Sequence, residues 1–74
     1  MEKVELVKLL RGRVTKINTD LKFGFVYVPG LEPVFFGPTS EYNGASFEDL
    51  KCGDIVEIYV TDTIRGLFAK EVVI

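Results

Sequence analysis

The sequence has no histidine and no tryptophan, a single cysteine (Cys52), and no long apolar run. Without histidine the commonest general base is missing, and with only one cysteine beside it a zinc site is not expected. One cysteine cannot close an intramolecular disulfide, and a small fold without disulfides suits a reducing compartment. No apolar stretch approaches the ~20 residues of a membrane span. Residues 1–10, MEKVELVKLL, carry internal charges and no small-residue cleavage site, so they are not expected to act as a secretory signal. The expected location is the cytoplasm, with no membrane partner.

What is present points to one small folded domain. The chain has 74 residues, 47% of them hydrophobic and 27% charged, which is near the lower limit for a lone domain without staples. The net charge is −2, but it is unevenly spread. Residues 1–22 hold six basic side chains against three acidic ones, whereas residues 23–74 hold three against eight. The positive end therefore adjoins the first aromatic segment.

Turn residues recur regularly: Asn18-Thr19-Asp20, Pro29-Gly30, Gly37-Pro38, Asn43-Gly44, Gly53-Asp54 and Arg65-Gly66. Between them lie short runs of Val, Ile, Phe and Tyr, read as strands near 7–17, 22–28, 33–37, 54–61 and 67–73. Ser46 to Leu50 reads as a helical turn, with Ser46 as N-cap and Asp49 at its third position. Five short strands without a long helix predict an all-β fold, a small five-stranded antiparallel barrel closed on itself to remove its edges. Residues 1–10 are read as an N-terminal extension that could lengthen the first strand, and residues 11–74 as the domain.

The segment Lys22-Phe23-Gly24-Phe25-Val26-Tyr27-Val28 is apolar on both faces of a strand. Phe23, Phe25 and Tyr27 share one face, and Gly24, Val26 and Val28 share the other. Val34-Phe35-Phe36 is two-sided in the same way. A small barrel has one interior, so one apolar face must be exposed, and exposed apolar patches mark binding surfaces. Valines suit a narrow interior better than three large rings do. This puts Phe23, Phe25 and Phe35 outside, with Arg13, Lys16 and Lys22 as nearby cations. Flat rings flanked by basic residues suit single-stranded nucleic acid, because every base has a π-face and cations hold the backbone. On pattern alone, some of these rings could instead be core.

Several short pieces, in order, resemble the cold-shock domain family over residues 11–74. Gly12-Arg13-Val14 through Asn18 resembles its opening strand. Lys22-Phe23-Gly24-Phe25-Val26 is similar to its first ribonucleoprotein motif, normally K-G-F-G-F-I, and Val34-Phe35-Phe36 to its second. Phe47 to Asp54 and Arg65-Gly66-Leu67 resemble its later loop and last hairpin. The resemblance implies an OB-type five-stranded barrel that binds single-stranded RNA or DNA, a chemistry that would suit an RNA chaperone. It implies base stacking by Phe23, Phe25, Phe35 and Phe47, and a phosphate contact from Arg13. The sequence departs from the family where Lys16 replaces its surface tryptophan, Gly37 and Pro38 replace a histidine and the residue after it, and Leu21-Lys22 replaces a lysine–glycine pair.

Other residues read more plainly. Glu48 and Asp49 belong to a solvated turn rather than a catalytic pair, and nothing nearby activates Cys52. Phe68 has no counterpart ring in the family. No enzyme activity and no cofactor are expected. The alternative to nucleic-acid binding is an interaction barrel whose apolar strip meets a protein partner or a second copy, forming a homodimer.

Overall fold

The computed structural model describes residues 8–74. The expected extension therefore lies mostly outside the described residues, while Lys8 to Leu10 belong to the first strand. The strands are β1 (Lys8–Asn18), β2 (Phe23–Tyr27), β3 (Val34–Phe36), β4 (Glu41–Asn43), β5 (Ile55–Thr63) and β6 (Gly66–Val73), with a short 3-10 turn at Phe47–Asp49.

The long first strand serves two neighbours. Its first half, Lys8 to Arg13, pairs with β5, and its second half, Arg13 to Asn18, pairs with β2. Between Val14 and Lys16 the register shifts, leaving Thr15 as a bulge, the device that lets one strand bend from one wall of a barrel into another. The ring closes as β1–β2–β3–β6–β5–β1, an arrangement compatible with an OB-like fold.

The sequence predicts an antiparallel barrel, but the pairing is mixed. β3 pairs with β6 in parallel at Phe35↔Phe68, and β4, a sixth short strand, also pairs in parallel with β6. A closed ring of five strands cannot alternate direction throughout: the four other pairings are antiparallel, so the closure of β3 on β6 is parallel. The turn at Gly37–Ser40, closed by Ser40 N–H to the Gly37 carbonyl at 3.0 Å, lays the chain along the free edge of β6.

The interior is filled from alternate positions. Val14, Val26, Val34, Phe36, Val56, Ile58 and Val72 are buried, as is Ala69, each large side chain contributing about 1.5–3 kcal/mol of apolar burial. Gly24 faces the same interior. A Cβ there would strike the Lys16 carbonyl oxygen and lie 2.6 Å from Cζ of Phe36, so β1 and β2 approach closely only because the side chain is missing. The expected cap is present: Asp49 accepts from the Ser46 N–H at 3.0 Å and from its hydroxyl at 3.2 Å.

Candidate functional site

Along β2 the burial alternates, with Gly24, Val26 and Val28 inside and Phe23, Phe25 and Tyr27 facing out. On β3, Val34 and Phe36 are buried and Phe35 is half-buried on the outer face. Registers then place four residues side by side across four strands. Lys16 of β1 is opposite Phe25 of β2, Phe25 is opposite Phe35 of β3, and Phe35 is opposite Phe68 of β6.

The rings touch one another. Phe23 and Phe35 have centroids 5.8 Å apart and planes 28° apart. Phe35 and Phe68 repeat that relation at 6.1 Å and 30°. Phe25 stands edge-on to both Phe23 and Phe35, at 6.4 and 5.7 Å. Such contacts stabilise aromatic pairs by about 0.5–1.5 kcal/mol each, so the rings hold one another in place while leaving one side to solvent. Gly37 contributes to this. A Cβ there would lie 2.9 Å from Cε2 of Phe35, so the bare backbone lets that ring lie flat.

The sequence did not place Phe68 in this row. Its inclusion depends on the parallel closure of β3 on β6, which no local pattern reports. Phe47, expected as an exposed stacking ring, is buried at 7% exposure. It packs against Phe36 and Tyr42, with centroids 6.2 and 6.0 Å away. The 3-10 turn rotates its ring inward over the end of the barrel, away from the row.

The expected cations divide into two kinds. Arg13 and Lys16 are exposed on β1, opposite Tyr27 and Phe25. Lys22 lies at the mouth of β2 with φ +59°, and its Nζ is 2.8 Å from Oε2 of Glu48. The Lys22 hydrogen bond holds the Glu48 carboxyl below its ordinary value, helped by a backbone hydrogen bond and by the lysine charge. Both partners are exposed, so the pair is held weakly and can be exchanged for another anion.

The loop after β3 is fixed from below. The buried Ser40 hydroxyl accepts from the Gly37 N–H at 3.1 Å and donates to the Ala69 carbonyl at 2.7 Å, and the Tyr42 hydroxyl donates to the Gly37 carbonyl at 2.9 Å. Burial pushes the Tyr42 phenol above its ordinary value, against a hydrogen bond with Ser40 and with the charge of Glu48 adding to the rise. The backbone under Phe35 is thereby tied to β6.

Among the described residues there is no group of three or more metal-ligating side chains, and no helix long and apolar enough to cross a membrane. Compared with models of known protein families and with curated proteins, the chain matches none.

Proposed function

We propose that this protein is a non-enzymatic binder of single-stranded RNA or DNA, a divergent barrel of the cold-shock type. The observation that carries the reading is the outward row of Phe25 and Phe35, with Phe23 stacked beside it and Lys16 at its β1 end. Bases stack on the rings, and Lys16, Arg13 and Lys22 hold phosphates. Each stacked base contributes about 1–3 kcal/mol. Phe47 takes no base in this scheme, since its ring is in the core. An RNA chaperone that keeps strands unpaired in the cytoplasm fits this chemistry and the unpaired Cys52.

Titration of an unstructured heptamer at two salt concentrations tests it. Binding is expected at low salt, with log affinity falling against log salt by roughly 1.4–2 for two to three phosphate contacts. Phe25→Ala weakens binding about five- to a hundredfold. Absence of binding to both pyrimidine-rich and purine-rich oligomers at low salt overturns the proposal. A stable dimer that buries Phe23, Phe25 and Phe35 and ignores oligonucleotide would instead make the strip a contact between copies.

A further inference from the structure

At the β6 end of the row the rings open onto a cleft between the outer face of β2–β3 and the β5–β6 hairpin, lined by Phe25, Phe35, Thr63, Arg65, Leu67 and Phe68. Its floor is aromatic and aliphatic, and its rim carries one guanidinium. The rim is shaped in advance. The Thr63 hydroxyl accepts from the Arg65 N–H at 3.1 Å and donates to the Gly66 carbonyl at 2.8 Å, which fixes the hairpin turn that bears Arg65.

We infer that this cleft is a further subsite of the same surface, taking one more base of the single strand against Phe68 and Phe35 with its phosphate on Arg65. The inference rests on the reading under Proposed function. Three observations carry it. The row has a cation and no ring at its β1 end, Lys16, and a ring at its β6 end, Phe68, so stacking extends toward β6. Phe68 keeps the near-parallel 30° relation to Phe35 that Phe35 keeps to Phe23, so a chain of bases meets a repeated geometry. The cleft also complements what one nucleotide presents: its rings face a flat base and its guanidinium faces a phosphate. One carboxylate adjoins the same hairpin: Oε2 of Glu32 lies 3.5 Å from where a Cβ on Gly66 would stand.

The test uses the whole chain and a length series of unstructured oligonucleotides from three to eight nucleotides, with three variants. Phe68→Leu keeps apolar volume but removes the stacking face. Arg65→Gln removes the charge at an exposed position. Phe25→Ala reports on the row itself. For the unaltered protein, affinity rises with length in steps, and Phe68→Leu and Arg65→Gln each abolish the last step, about fivefold or more for the ring. Amide resonances of Leu67 and Phe68 shift only with oligomers long enough to reach the cleft. If Phe25→Ala weakens binding while both cleft variants bind every length as the unaltered protein does, and those amides stay still, the subsite is wrong and the row stands. If the unaltered protein binds no oligomer, the row fails and the subsite with it. Arg65→Gln and the amide shifts decide the matter even should Phe68→Leu disturb the fold.

Discussion

Lys16 and Phe25 are direct cross-strand partners on β1 and β2, one residue beyond the bulge at Thr15. A ring at position 16 would therefore adjoin Phe25 as Phe35 does on the other side. Lys16→Trp is expected to tighten oligonucleotide binding about fivefold or more and to lower the salt slope by about 0.7 as one cation is lost. The chain has no other tryptophan, so fluorescence of the new indole reports the site directly. Unchanged emission at saturating oligomer would remove position 16 from the path of the strand.

Gly24 is placed under the sharpest steric demand in the barrel. Gly24→Ala pushes against the Lys16 carbonyl and the Phe36 ring, neither of which can yield without moving a strand or a packed core ring. A loss of about 1–3 kcal/mol is expected by urea denaturation, a large share of the stability of so small a domain.

Phe47 and Phe25 are predicted to separate cleanly. Phe47→Ala empties a place in the packed Phe36–Tyr42–Phe47 group and should cost about 3–5 kcal/mol of stability. Phe25→Ala should cost far less, because its ring is only half-buried, and should act on binding. Thermal melts and titrations of the two variants in parallel check this. Equal loss of stability in both would contradict the placement of the rings.

The Lys22–Glu48 pair gives a pH dependence of known sign. The folded-state carboxyl is held below its ordinary value, so the folded protein binds fewer protons there than the unfolded chain. The pair therefore adds stability above the ordinary carboxylate range, and that contribution fades as pH falls through the folded value. Carbon-detected titration of Glu48 should show its midpoint rising toward the ordinary value in Lys22→Gln, with the acid limb of the stability curve flattened.

Much of this was readable in the chain because β2 breaks the usual alternation. Both faces of Phe23–Tyr27 are apolar, and the small side chains on one face mark the interior. The turn at Ser46–Asp49 was legible for a local reason too, since a serine and an aspartate three apart bond to each other. The rest depended on distant pairing. β4 is only Glu-Tyr-Asn, and two polar residues in three carry no strand pattern. It exists because β6 offers an edge. Phe68 carries no local signal for the row, because its neighbour Phe35 is thirty-three positions away in sequence and meets it only when the barrel closes. The expectation of an exposed Phe47 comes from the resemblance alone, and the residues around it carry no signal for which way a single 3-10 turn rolls.

That closure has a thermodynamic side. Phe35 and Phe68 sit on β3 and β6, the two strands whose parallel pairing shuts the barrel. A nucleic-acid strand bound across both rings, as proposed, would strap the seam, and its binding energy would become energy of closure. At a hundred times its dissociation constant such a ligand adds about 2.7 kcal/mol to the folded state. The amides along the seam are where slowed hydrogen exchange would register it first.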